Sequence, residues 1–157
     1  MTHNDWVTAV AFSPDSASVV SASGDGIARV WNAVTGQVRA RMTHSRYVNS
    51  VAFSPDGAWV VTGGNDGIVR VWDAATGQER ARMAHDEAVT SVAFSSDGAW
   101  VVSGSEDDTA RTWLWQDTDL VTLACERIGR NLATNEWQFY LPGQSYRKTC
   151  DQWPGGE

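Results

Sequence analysis

The sequence has little of what would tie it to a membrane, a nucleic acid or an oxidising compartment. Its only cysteines, Cys125 and Cys150, fall in the last quarter of 157 residues, too few for the disulfide framework of a small secreted domain. Lysine occurs once, as Lys148, and 12 Lys+Arg against 19 Asp+Glu leave a formal net charge of -7. That balance argues against a surface built to hold phosphates, and so against nucleic acid as a partner. No apolar run approaches the roughly 20 residues that cross a bilayer. The opening Met1-Thr2-His3-Asn4-Asp5-Trp6 also lacks the basic and apolar regions of a signal peptide. The expectation is a cytoplasmic protein without a membrane partner, of a size that buries roughly two-thirds of its unfolded surface. The excess of arginine over lysine points to a bacterial, GC-rich genome. What is abundant instead is tryptophan, with 9 copies.

The chain repeats itself with a period of about 41 residues, the spacing of a stacked repeat architecture. His3, His44 and His85 open three units, and Phe12, Phe53 and Phe94, Asp15, Asp56 and Asp97, Asp25, Asp66 and Asp107, and Trp31, Trp72 and Trp113 recur in step. Within a unit every signal is β. Val10-Ala11-Phe12 alternates large and small and runs into Ser13-Pro14-Asp15-Ser16, whose counterpart is Ser54-Pro55-Asp56-Gly57. Proline suits the first central position of a type I turn, and glycine supplies the positive φ that re-enters a strand. Val19-Val20-Ser21 and Val60-Val61-Thr62 read as second strands, Asp25-Gly26 and Asp66-Gly67 as tight turns, and Ile27 to Trp31 and Ile68 to Trp72 as third strands. Turns at Thr35-Gly36 and Thr76-Gly77 launch fourth strands, Gln37 to Met42 and Gln78 to Met83. One four-stranded sheet of this size cannot bury both faces alone, so the units must stack as propeller blades.

Residues 2 to 115, and above all Val51-Ala52-Phe53-Ser54-Pro55-Asp56-Gly57 and Asp66 to Asp73, resemble the WD40 family. Departures are confined to single positions. Thr2, Thr43 and Ala84 stand where a glycine usually precedes the histidine, Asn32 and Leu114 follow tryptophan in place of aspartate, and Asp108 replaces a turn glycine. Aspartate tolerates the left-handed conformation better than most residues, so the Asp108 turn should survive. The resemblance implies an all-β, partial three-blade propeller with blades at 1–42, 43–83 and 84–116, the last without its outer strand. It also implies a hydrogen-bonded tetrad in each blade: His3, Ser21, Asp25 and Trp31; His44, Thr62, Asp66 and Trp72; His85, Ser103, Asp107 and Trp113. Indole only donates, carboxylate only accepts, and hydroxyl and imidazole do both, so the four can close without an orphan.

A recurring Ser, His and Asp also describes a nucleophilic triad. A triad, however, is one constellation in a cleft, whereas a copy in every blade is what folding chemistry produces. Three histidines about 41 residues apart should likewise sit on successive blades and share no metal. Thr62 to Gly67 is glycine-rich but has no lysine, and a strand follows where a phosphate loop needs a helix. No catalytic residue, metal or cofactor is therefore expected. Positions that vary inside the constant frame speak to partners instead. The loops after each histidine carry Asp5 and Trp6, Arg46 and Tyr47, and Asp86 and Glu87, and Trp, Tyr and Arg dominate protein–protein hot spots. The same loops also read as ordinary solvated ones whose aromatics lean on the neighbouring blade. Trp59 and Trp100, which start second strands, are expected to pack between blades.

From 117 to 157 the pattern turns helical. Leu120, Val121, Ala124 and Ile128 form an amphipathic stripe ending near Gly129, and a second short helix fits Asn135 to Leu141. The run Leu123-Ala124-Cys125, Arg130-Asn131-Leu132, Glu136-Trp137 and Tyr146 to Cys150 resembles the C-terminal end of bacterial STAND-type signalling proteins, in which a WD40 sensor follows a nucleotide-binding switch. A closed propeller takes about four to eight blades, so three leave two open flanks. The expectation is a protein-binding sensor or scaffold fragment of a longer signalling protein. Its alternative is a self-assembling scaffold, a homo-oligomer joined through the open flanks.

Overall fold

Each hairpin starts where the sequence sets a serine two residues before an aspartate. Ser54 Oγ donates to Asp56 at 2.5 Å and accepts the Trp59 amide at 2.9 Å, while Asp56 accepts the Ala58 amide at 3.0 Å. Ser13 with Asp15 and Ser95 with Asp97 repeat the arrangement. The residue that follows is left-handed in all three hairpins, Gly57 at φ 73° and Gly98 at φ 75°, with Ser16 at φ 59° in the first. The next turns need the same conformation, and Asp108 adopts it at φ 62° where Gly26 and Gly67 stand in the other units.

The computed structural model describes residues 1–115. Between the turns run β1 (Val7–Phe12), β2 (Ser18–Ser23), β3 (Ile27–Asn32) and β4 (Val38–Thr43), paired in that order in one antiparallel sheet. A second sheet pairs β5 (Val48–Phe53), β6 (Trp59–Gly64), β7 (Ile68–Asp73) and β8 (Glu79–Ala84) in the same manner. The third contains β9 (Val89–Phe94), β10 (Trp100–Ser105) and β11 (Ala110–Leu114), and among the described residues it has no fourth strand. The architecture is all-β, three antiparallel sheets consistent with partial propeller blades. The helices expected between 117 and 157 lie outside the described residues, as do Cys125 and Cys150.

Two apolar cores form, each between consecutive blades. Val20, Ala22, Ala28, Val30 and Met42 of blade 1 pack against Val48, Val51, Trp72 and Ala74 of blade 2. Val61, Val69 and Val71 of blade 2 meet Val89, Val92 and Val101 of blade 3 in the same way. Burial on both faces is why the second and third strands read as continuous valine-rich runs rather than alternating ones. The approach is close enough to dictate glycine at one point: a Cβ on Gly63 would stand 2.5 Å from Val89 Cγ1 and 2.9 Å from Val92 Cγ1. Bulges at Thr8 and Asn49 aim those side chains across the boundary. Thr8 Oγ1 donates to the Val48 carbonyl at 2.6 Å, and Asn49 Nδ2 to the Val89 carbonyl at 2.9 Å. Trp59, expected to pack between blades, meets Trp115 edge-on at 5.0 Å.

Candidate functional site: repeated polar tetrads and the loop face above them

The recurring polar residues converge within each blade. In blade 2, Trp72 Nε1 donates to Thr62 Oγ1 at 2.8 Å, His44 Nε2 lies 2.7 Å from the same hydroxyl, and His44 Nδ1 lies 3.0 Å from Asp66. A single proton arrangement satisfies all four: indole to hydroxyl, hydroxyl to Nε2, and Nδ1–H to carboxylate. Blade 1 has the same set, with Trp31 at 2.7 Å and His3 at 2.6 Å from Ser21 Oγ and His3 Nδ1 3.3 Å from Asp25. Blade 3 closes it with Trp113 and His85 each 2.7 Å from Ser103 Oγ and His85 Nδ1 2.8 Å from Asp107. Among the described residues no buried side-chain nitrogen or oxygen lacks a partner, which is what a buried polar network requires.

A fifth member, not anticipated from the sequence, completes each set. Arg29 donates to Asp25 at 2.8 Å, Arg70 to Asp66 at 2.8 Å, and Arg111 to Asp107 at 3.2 Å. The guanidinium of Arg29 also lies against His3 Nδ1, and that of Arg70 lies 2.5 Å from His44 Nδ1. The signal was present: an arginine stands four residues after the aspartate and two before the tryptophan in every unit.

Charge follows from this geometry. Burial pushes the Asp66 carboxyl up, but donors from His44 and Arg70 outweigh it and hold the group at about 2. Burial likewise opposes ionisation of Asp25 and Asp107, and their hydrogen-bond donors override it, so both sit well below the usual carboxylate range. Burial lowers His44, and burial with the neighbouring Arg29 charge lowers His3. The imidazoles of His3 and His44 are therefore neutral hydrogen-bonding members of the network. Each Ser or Thr hydroxyl is already shared by an indole and an imidazole, so none is presented to solvent as a nucleophile.

Above the tetrads lie the loops singled out for partners. Trp6 covers Gly24, where an added Cβ would stand 2.9 Å from the indole, and it meets Tyr47 edge-on at 5.2 Å. Trp6 leans on the next blade's loop yet stays 57% exposed, and Tyr47 45%. Arg46, Asp86 and Glu87 line one open pocket of about 270 Å³ with Ser45 and Asn65. Asp86 is further restrained by Arg111 at 3.4 Å. Asp5 turns back instead, accepting the Trp6 amide at 2.8 Å. A second cleft of about 600 Å³ opens between blades 1 and 2 at the other end of the strands, around Pro14, Arg39, Phe53 and Asp56.

This arrangement of three sheets, each with its His, hydroxyl, Asp and Trp in register, is that of β-propeller blades. The chain belongs to the WD40 family: the model described as "WD domain, G-beta repeat" matches residues 1–32, 36–73 and 77–113. No curated protein sequence matches significantly. Among solved structures, 1253 chains match, a breadth that carries architecture and no single activity. One, described as "Structure of U3-55K", is similar with a TM-score of 0.69 and 24% identity over 73% of this chain and 37% of that chain. At that identity the similarity shows the fold. The present chain thus spans little more than a third of the length of that protein. WD40 repeats indicate a protein-interaction or scaffold module.

Proposed function

We propose that the chain is a non-enzymatic protein-recognition module, and that partners dock on the face formed by the loops after His3, His44 and His85. The observation that carries this reading is the division of labour between constant and variable positions. The repeated residues are consumed by the tetrads, while Trp6 and Tyr47 stand paired at 5.2 Å on the loop face. An aromatic pair with its edges open, beside Arg46 and the acidic Asp86 and Glu87, has the composition of an interface centre with a polar rim. The STAND-like tail supports the further proposal that the module belongs to a bacterial, cytoplasmic signalling protein, in which binding here would be relayed to a switch domain.

The test is quantitative affinity capture with the full chain, Trp6→Ala/Tyr47→Ala, and Val34→Asp as a control on the opposite end of blade 1. A bound protein retained by the control and lost at least tenfold by the double variant is the expected result. Equal retention by all three proteins would place recognition elsewhere.

A further inference from the structure

The three blades carry equivalent residues in unequal surroundings. On the face turned toward the preceding blade, Val48 and Val51 of blade 2 are 0% and 8% exposed, and Val89 and Val92 of blade 3 are 0% and 6%. Their counterparts in blade 1, Val7 and Val10, are 52% and 66% exposed, and Phe12 beside them is 66%. The opposite face shows the complement. Val20 and Val61 are fully buried, while Val102, the same position in blade 3, is 42% exposed; Ala93, Ala110 and Thr112 around it are exposed as well.

Two details show that the free face of blade 3 keeps the shape of an interface. Gly104 stands where Gly63 makes room for Val89 and Val92, but the nearest atom to its added Cβ is Thr90 Oγ1 at 3.7 Å. Thr90 holds the position from which Thr8 and Asn49 reach the next blade's carbonyl, and its hydroxyl turns back to Gly104 O at 3.2 Å. Nor does it matter here that blade 3 has no outer strand among the described residues. The internal interfaces run chiefly between β1, β2 and β5, and between β5, β6 and β9, so β9 and β10 already supply the half that blade 3 must offer.

We propose that a second copy of this chain covers both faces, its blade 3 seated on blade 1 and its blade 1 on blade 3, in a closed six-blade ring. Each free face is one half of an interface that the chain already forms twice, and the other half lies on the same chain. Such a contact is heterologous, and it forms a ring only if the rotation closes. Propellers hold roughly four to eight blades, and six is the only multiple of three in that range. The proposal concerns a surface apart from the loop face and stands independently of partner docking there.

Light scattering after size exclusion, on the full 157-residue chain across a range of concentrations, tests it. The expected mass is about twice 17.1 kDa. Val10→Asp and Val102→Asp should each give monomers with unchanged circular dichroism, and Val34→Asp, at a turn residue 92% exposed, should leave the dimer intact. Phe12→Ser provides a second reading of the blade 1 face. Mixing Val10→Asp with Val102→Asp should restore a two-chain particle, because one interface then joins two unaltered faces. A monomeric parent chain, a mass that keeps growing with concentration, or a dimer sensitive to only one of the two faces would overturn the proposal.

Discussion

Blades 2 and 3 use nearly the same residues and differ in what surrounds them. Blade 2 lies between two neighbours, and its Arg70 side chain is 10% exposed beside an Asp66 at 6%. In blade 3 the aspartate is equally buried, but Arg111 is 34% exposed and 3.2 Å away rather than 2.8 Å. The tetrad itself is unchanged, with the indole, hydroxyl and imidazole at the same spacing in both. Local chemistry within one blade therefore closes the network, whereas the neighbour decides how dry it is and how much its charges matter.

Truncating the arginine should separate the two blades most. Arg70→Ala leaves Asp66 and Glu79 without their shared cation in a dry site, and should cost about 3 to 5 kcal/mol. Both aspartates keep their histidine, amide and hydroxyl donors, but Arg111 is 34% exposed against 10% for Arg70, so solvent screens its pair and Arg111→Ala should cost less than a third of that. Chemical denaturation of the two variants measures both, and equal losses would break the comparison.

Glycine gives the next contrast, with a change of sign. Gly63→Ala drives a Cβ into Val89, and overpacking of this kind costs about 1 to 3 kcal/mol. In the Val10→Asp background, which removes any contact with a second copy, Gly104→Ala meets only an ordinary contact and should leave the melting temperature unchanged or raise it, because alanine restricts the unfolded chain more than glycine. Ala22 already occupies the same position in blade 1, packed in the core.

The smallest expected effect is on acid sensitivity. His3 and His44 are lowered in the folded protein, so their contribution is fully present above the unfolded value of about 6.5 and is lost as pH falls below it. Asp66, held at about 2 against an ordinary 3.8, contributes above the ordinary value and loses that contribution only as pH falls toward 2. The melting temperature should therefore begin to drop below about pH 6.5, well before the carboxylates titrate. His44→Asn should flatten that first decline, and a parent profile flat to pH 4.5 would refute it.

The blades were legible in the sequence because the signals are local and repeated. Ser54-Pro55-Asp56-Gly57 states its own turn, Asp108 announces a left-handed residue that the structure confirms at φ 62°, and the tetrad members recur at fixed spacing. Arg29, Arg70 and Arg111 recur just as regularly. They escaped notice because an arginine in a strand reads as solvent-facing until the aspartate four residues earlier is seen to curl back onto it. The unequal burial of Val10, Val51 and Val92 was not legible at all, since identical residues in identical motifs differ only in what lies across the gap. The loop aromatics were legible as types. Their pairing across two blades was not, because it depends on how Gly24 lets the Trp6 ring lie flat.

The loops after the histidines are fastened through the backbone. The His44 amide donates to the Gly26 carbonyl and the His85 amide to the Gly67 carbonyl, at 2.9 Å and 2.8 Å. The carbonyl oxygens of His44 and Arg46 would each stand 3.3 Å from a Cβ on Gly26. These backbone anchors make no demand on the side chains of Arg46 and Glu87, whereas Ser45 donates to Asp66, Tyr47 packs on Trp6, Asp86 pairs with Arg111 and Ala88 is buried. Arg46 and Glu87 can therefore change without loosening the frame, so the charge these loops present is separable from what holds them in place.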